Sequence, residues 1–379
     1  MEFELSDAHR EIAARIREFG EREIAPHAAD WDRDETFPHE TVRRLGEAGF
    51  LGIALPAELG GGGRDTLANL LVVEGVARYD ASLGLTVASH TGLASGHINT
   101  FASDALRRRY LPRMARGEWL GAWCLTEPGS GSDAAALRTR AVRDGDEWVL
   151  TGAKMFITQG TVGHVYVVLA STAPADGARG ISAFIVERGT PGLGNGRKIE
   201  KLGLRSSDTA EVVLDHVRIP ADHLIGEVNQ GFKQALRLLD GGRVGIAAWC
   251  LGIGRGALEA ALARVQNGTT AGTAARLVLG EVATRLDAAR VVTYRAAYLK
   301  DAGQPFRAEG SMAKLLASEA AMLAATKAVE LFGVDGGLRA HPVERYLRDA
   351  KLGEIGEGTS EVQRTVIARA LLGGAIATL

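Results

Sequence analysis

A chain of 379 residues is longer than one hydrophobic core usually serves, so two or three domains are expected. Its 46% hydrophobic and 24% charged content is that of an ordinary soluble globular protein. Forty-four Lys and Arg against 46 Asp and Glu leave a formal net charge of −2, which argues against a general nucleic-acid surface.

No run of about 18 uninterrupted apolar residues occurs, so no membrane-spanning helix is expected. The N-terminus, MEFELSDAHREIAARIREFGEREIAP, is acidic and helical in pattern, without the charged leader and apolar run of a signal peptide. A cytoplasmic protein is the expectation. Cys124 and Cys250 lie in apolar surroundings and in no Cys-x-x-Cys pair, as packing residues of a reduced compartment do.

Residues 1–119 read as a helical domain. Ser6 and Asp7 can cap a helix in which Ile12, Ile16 and Phe19 recur at helical spacing. Pro26 interrupts it, Thr41 to Phe50 resumes the pattern, and Leu67 to Tyr79 is a further amphipathic helix. Gly60 to Gly63 read as a turn, because the Lys-Ser/Thr of a phosphate cradle does not follow them.

Residues 120–225 change in texture. Short β-branched and aromatic runs at Glu147–Leu150, His164–Ala170, Ile181–Val186 and Ala210–Leu214 are separated by Gly, Asp and Pro, which predicts an antiparallel β-domain. Residues 226–379 are helical again, with Ala/Leu/Arg-rich spans at 232–266, 274–302 and 308–331 that suit a four-helix bundle. The fold class is α+β: helical domain, middle antiparallel β-domain, helix bundle.

The segment RDAKLGEIGEGTSEVQR, Arg348 to Arg364, carries the strongest chemical signal. It gathers Glu354, Glu357 and Glu361, with Gly356 and Gly358 flanking the middle one, so the backbone can fold tightly and a planar group can approach Glu357. A lone carboxylate between glycines suits proton abstraction beside a carbonyl. A helix start with acids near its positive end explains the same residues. In WCLTEPGSGSD, Trp123 to Asp133, glycines free the backbone and Thr126, Ser130 and Ser132 add hydroxyls, as an anion-binding loop or a plain Pro-Gly turn would. In GAKMFITQG, Phe156 can stack on a ring and Thr158 can bond a ring nitrogen; a half-buried strand with Met155 and Phe156 on opposite faces fits equally. Arg243, after a Gly-Gly pair on a helix, can pair with an anionic substrate, pair with Asp240, or point to solvent.

The order and spacing of these blocks decide more than any one of them. LSDAHREIAARIREFGEREIAP, LTEPGSGSD, LGLRSSDT, LDGGR, PVERYLRDAK and EGTSEVQR together resemble the acyl-CoA dehydrogenase family over almost the full length. The resemblance implies that family's helix–β–helix fold, a noncovalent FAD, an acyl-CoA or acyl-carrier thioester as substrate, an electron-transfer flavoprotein as electron acceptor, and a homotetramer built from dimers. Position by position, Glu357 matches the catalytic base of the straight short- and medium-chain members. Other branches place the base at the position of Gly242, which carries no carboxylate. The flavin-contacting loop matches Trp123, Leu125, Thr126, Gly131 and Ser132, and the segment beside the flavin ring matches Phe156, Ile157 and Thr158. Thr359, Ser360 and Glu361 match later FAD contacts; Ser132, Asp240, Arg243 and Gly358 match substrate contacts. No metal site is implied.

The chemistry that follows from the resemblance is α-proton transfer to Glu357 and β-hydride transfer to flavin N5, giving a trans-2-enoyl thioester. The Glu357 amide and a flavin ribityl hydroxyl would polarise the thioester carbonyl.

Some positions depart from the family. An Arg-Gln-Phe-Gly block that reaches the FAD pyrophosphate across the dimer is replaced here by VQNGTTAGTA, Val265 to Ala274. Glu330 stands where Gln is usual, FGVDGG (Phe332 to Gly337) replaces Gly-Gly-Tyr-Gly, and Gly356 replaces a Tyr before the base. Rival readings are an acyl-carrier-protein dehydrogenase of a biosynthetic pathway, which turnover on the two substrate types separates, and a flavin-poor, non-catalytic subunit of the same fold. The depleted FAD cluster favours the second rival, and the retained Glu357 and LTEPGSGSD oppose it. A flavin monooxygenase would not need Glu357.

Overall fold

The computed structural model describes residues 4–268 and 272–373. The first helical region begins with α1 (Asp7–Phe19), capped by Ser6, whose Oγ accepts from the His9 amide at 3.3 Å. Ile12, Ile16 and Phe19 are its buried face, as their spacing requires. The helix runs on through a wide turn, Gly20–Ile24, and stops near Pro26. After it come α2 (Ala28–Asp34), α3 (His39–Glu47), the glycine turn at 60–63, and α4 (Thr66–Ala77), capped by Asp65. Three helices that periodicity does not reveal follow: α5 (Ala81–Ala88), α6 (Gly96–Phe101) and α7 (Asp104–Ala115). Residues 81–90 are buried on every side, so they carry no polar face from which a helical period can be read.

The β-region is one seven-stranded sheet: β1 (Gly121–Cys124), β2 (Arg140–Asp144), β3 (Glu147–Thr158), β4 (Val165–Ser171), β5 (Ile181–Glu187), β6 (Leu193–Lys198) and β7 (Thr209–Pro220). Most pairings are antiparallel, but β1 runs parallel to β4, with Gly121 opposite Val165. Strand β4 sits between β1 and β5 and is buried on both faces, which is why its run is apolar without alternation. The long β3–β7 pair shifts register between Lys154 and Ile157. This bulge breaks the expected alternation of Met155 and Phe156. Phe156 takes a left-handed φ of 57° and stands 59% exposed.

The C-terminal region contains α8 (Gly231–Gln266), α9 (Thr273–Asp301), α10 (Arg307–Phe332), α11 (Val343–Ala350) and α12 (Ser360–Leu372). The expected connection Asn267–Gly272 falls partly outside the described residues. Helix α8 contains an 18-residue window of mean hydropathy 1.3, apolar enough to cross a membrane, but 67% of that window is buried inside the protein. It is a core helix. Its glycines bring it against α4 at backbone distance: a Cβ on Gly252 would lie 2.4 Å from the Glu74 carbonyl oxygen. One apolar core is therefore continuous from Ile12, Leu70 and Leu83 through Trp249 and Leu286 to Ala321 and Val343. A second joins α6 and α7 to the Val165, Val167 and Ile185 face of the sheet and to Ala235 of α8. Through these two cores α8 is held against both the sheet and the C-terminal segment around Glu357.

Candidate active site

After α11 the chain makes a tight turn and reverses through two consecutive left-handed residues, Glu357 (φ 52°) and Gly358 (φ 96°), before Thr359 caps α12. The left-handed conformation is costly for a residue with a side chain and persists only where its surroundings hold it. At Gly358 the φ of 96° favours glycine, and a Cβ there would also lie 2.6 Å from Gln363 Nε2 and push that side chain aside.

This corner delivers the Glu357 side chain to α8. Gly242 lies directly opposite: a Cβ placed on it would fall 2.5 Å from Glu357 Oε2 and 3.4 Å from Leu93 Cδ2. The residue as a whole is half-buried, yet Oε2 is shut off from solvent and has no hydrogen-bond partner among the described residues. Burial pushes the Glu357 carboxyl up to about 7, against the opposing fields of Lys314 and Arg243. Arg243 is buried and donates to Asp240 Oδ1 at 2.7 Å; Arg307 Nε lies 3.5 Å from the same oxygen. Of the readings open for Arg243, pairing with Asp240 is the one observed, and its Nε is unpartnered among the described residues.

The second group of candidate residues forms at the sheet. The loop after β1 turns between Glu127 and Ser130, whose backbones exchange bonds of 3.0 and 3.1 Å. Its base is pinned by the buried Glu127 carboxylate, which accepts from Lys154 Nζ at 2.8 Å and from the Arg138 and Thr139 amides at 2.5 and 2.9 Å. Lys154 also donates to the Leu125 carbonyl at 3.2 Å. The tip, with Gly131 and Ser132, is exposed, and a Cβ at Gly129 or Gly131 would meet nothing within 4 Å. The Ser130 hydroxyl is not free for a ligand: it donates to the Asp133 carbonyl at 2.7 Å. The Met155 amide donates to the Thr126 carbonyl at 2.8 Å, which sets the loop beside Phe156, Ile157 and Thr158. Ile157 is buried and Thr158 half-buried. Buried Trp123 donates from Nε1 to His97 Nδ1 at 3.0 Å, so the His97 proton sits on Nε2 and is donated to Gln234 Oε1 at 3.0 Å. That relay couples the loop to α8.

Along the sequence, the acyl-CoA dehydrogenase N-terminal domain matches residues 6–118, the middle domain 122–217 and the C-terminal domain 229–372. The chain belongs to the acyl-CoA dehydrogenase family. It is 41% identical over 373 residues to a short-chain specific acyl-CoA dehydrogenase of Clostridium acetobutylicum, covering 97% of this chain and 98% of the relative. The solved structure of butyryl-CoA dehydrogenase from Megasphaera elsdenii matches with a TM-score of 0.95 at 36% identity, covering 98% of this chain and 100% of that one. A chain in a structure of the electron transferring flavoprotein of Acidaminococcus fermentans matches with a TM-score of 0.97 at 39% identity and the same coverage.

Acyl-CoA dehydrogenases are FAD-dependent oxidoreductases, and the residues of this family member fit such a group. Phe156 offers an exposed ring on a backbone bulge, and open space borders the Gly129–Gly131 tip. At the start of α12, Ser360 Oγ is buried without a partner among the described residues, and the leading amides of a helix favour an anion. A shallow groove of about 350 Å³ runs here past Thr359, Ser360, Glu361 and Arg364. Two cations near the replaced Arg-Gln-Phe-Gly block are already engaged. Arg264 donates to Asp335 Oδ2 at 2.8 Å and lies over the Phe332 ring, while Lys327 bonds Glu330 at 2.7 Å. Glu330 is thus neutralised within its own helix.

Sequence reasoning missed Lys314. It is fully buried on α10, and its Nζ donates to the Gly358 carbonyl at 2.7 Å, where Gln363 Nε2 also donates at 2.9 Å. The available signal was a charge on the apolar face of an Ala-rich helix, in register with the buried Ser311, Ala317 and Ser318.

Proposed function

We propose that this acyl-CoA dehydrogenase desaturates a short, straight acyl thioester between Cα and Cβ, with Glu357 as the base that removes the α-proton. The observation that carries this reading is the Glu357 carboxylate itself. It is shielded at Oε2, has no hydrogen-bond partner there, faces a helix position without a side chain, and is pushed up to about 7 by burial. A base whose pKa lies near the operating pH combines ionisation with the strongest proton affinity compatible with it. An ordinary glutamate, near 4.3, would be a far weaker base.

The neighbouring groups support the same step. Among the described residues the Glu357 amide has no acceptor, so it is free to donate to a thioester carbonyl and hold the charge that develops as the α-proton leaves. Arg243, Asp240, Gly358 and Ser132 are the proposed substrate contacts. FAD, held by Trp123, Leu125, Thr126, Gly131, Ser132, Phe156, Ile157, Thr158, Thr359, Ser360 and Glu361, would supply the acceptor for the β-hydride. A short acyl-CoA substrate draws support from the short-chain specific relative and from butyryl-CoA dehydrogenase. The match in the Acidaminococcus fermentans structure supports an electron-transfer flavoprotein as the onward acceptor. A homotetramer would cover exposed apolar side chains such as Leu277, Tyr298 and Val334.

The test is the absorption spectrum of the purified protein mixed anaerobically with butyryl-CoA and, separately, with a butyryl carrier protein. Bleaching of bound flavin by butyryl-CoA is expected in the wild type and not in Glu357→Gln. Flavin that no saturated acyl-CoA bleaches would sink the reading, and bleaching that survives in Glu357→Gln would move the base elsewhere.

A further inference from the structure

We propose that Lys314 is a positioning residue for the reaction: through its 2.7 Å bond to the Gly358 carbonyl it holds the left-handed Glu357–Gly358 corner and keeps a positive charge behind the base. The inference rests on Glu357 being the base. Lys314 is fully buried near the middle of α10, beside Ala313 and one turn from Ala317 and Ser318. A lysine in such a place is expensive to bury unless its ammonium has a dedicated partner. The partner is the carbonyl that closes the corner. Gln363, from the first turns of α12, donates to the same oxygen at 2.9 Å and to the Glu357 carbonyl at 3.4 Å. Two helices therefore clamp one peptide unit, and that clamp is what holds a non-glycine residue at φ 52°.

The charge matters because little else near Glu357 is free to supply it. On α8, Arg243 faces the carboxylate but is paired with Asp240, which Arg307 of α10 also approaches. The 89–95 turn contributes apolar Leu93, and on α12 the inward group is neutral Gln363, while Glu361 and Arg364 are exposed. Around Lys314 itself, burial keeps the Cys250 thiol neutral by pushing it up to about 12, and Glu354 is bonded to Lys351 at 2.6 Å. Lys314 is thus the buried cation whose bond ends on the backbone of the corner rather than on a carboxylate.

The experiment compares Lys314→Met, Lys314→Gln and Lys314→Arg with wild type and Glu357→Gln as holoenzymes. It records kcat, the pH midpoint of kcat/KM, and Glu357 carboxyl titration by difference infrared spectroscopy. Removing a nearby cation raises a carboxyl pKa, so Lys314→Met is expected to move both midpoints up by about one pH unit and to lower kcat about tenfold or more. Lys314→Gln keeps a donor but no charge, so it should move the midpoints equally with a smaller loss of kcat. Lys314→Arg should keep the wild-type midpoints. If Lys314→Met does not fold, the Gln and Arg pair decides alone. Unmoved midpoints in folded Met or Gln variants overturn the proposal, since a merely structural lysine would leave them in place. An active Glu357→Gln would instead overturn the assignment of the base, which separates the two failures.

Discussion

Gly242 and Glu357 meet with no side chain between them: the position of a Cβ on Gly242 lies 2.5 Å from Glu357 Oε2. Glycine on α8 is therefore the condition for the carboxylate to lie where it does. Gly242→Ala should fold, because the atom it strikes is the end of a flexible side chain and alanine favours the helix by roughly 0.5–1 kcal/mol. The carboxylate must move aside, and a displacement near 1 Å at a reacting group costs up to about 100-fold in rate. Steady-state kinetics should show the lowered kcat while the melting temperature does not fall; wild-type kcat would mean that the carboxylate works from another place.

The raised carboxyl of Glu357 also links catalysis to stability. Its folded pKa of about 7 exceeds the unfolded value near 4.3, so between those values the folded state binds the extra proton. Stability from this group is therefore present at low pH and lost as pH rises towards and through 7. Glu357→Gln should remove that penalty, stabilising the protein at pH 8 by on the order of 1–3 kcal/mol after allowance for partial exposure, with little change at pH 4. Activity of the wild type should rise through pH 7 as the carboxyl ionises. Melting curves of both proteins at pH 4 and 8 check the sign, and equal shifts at the two values would contradict it.

Gly356 is not in a left-handed conformation, and a Cβ there would touch Leu352 at ordinary distances of 3.4 and 3.5 Å. Gly356→Tyr should therefore be tolerated by the fold. A large side chain beside Glu357, the proposed base, is expected to narrow the acyl pocket and reduce kcat/KM for branched substrates more than for straight ones. An unchanged ratio between butyryl-CoA and isobutyryl-CoA would show that residue 356 does not line the cavity.

FAD is expected to bind more weakly here than in relatives that carry the Arg-Gln-Phe-Gly block. A charge-assisted hydrogen bond contributes about 1.5–3 kcal/mol, which corresponds to roughly ten- to a hundredfold in affinity. Two of the flanking cations are already taken, Arg264 by Asp335 and Lys327 by Glu330, which leaves exposed Arg276 as the nearby cation to compensate. Titration of apo-protein with FAD measures this directly. Retention of flavin through extensive dilution would mean that another cation takes the place of the missing arginine.

What was legible in the sequence was whatever depends on neighbours along the chain. The long helices at 231–266, 273–301 and 307–332 follow from helical spacing and from the breaks between them, and the Ser6 cap follows from one side chain and an amide three residues on. The acidic, glycine-flanked segment around Glu357 and the LTEPGSGSD loop stood out because glycine, hydroxyl and carboxylate residues at short spacing mark places where the backbone must turn close to a ligand. Tertiary structure alone decided the rest. Buried α5 shows no polar stripe, and β1 is too short to read by alternation and pairs in parallel with a strand that follows it at a distance. The burial of Glu357 Oε2, the approach of Gly242 and the bond from Lys314 to Gly358 each join residues far apart in sequence. A local pattern carries no information about which distant side chain will exclude water from a carboxylate, and it is that exclusion which pushes the Glu357 carboxyl up.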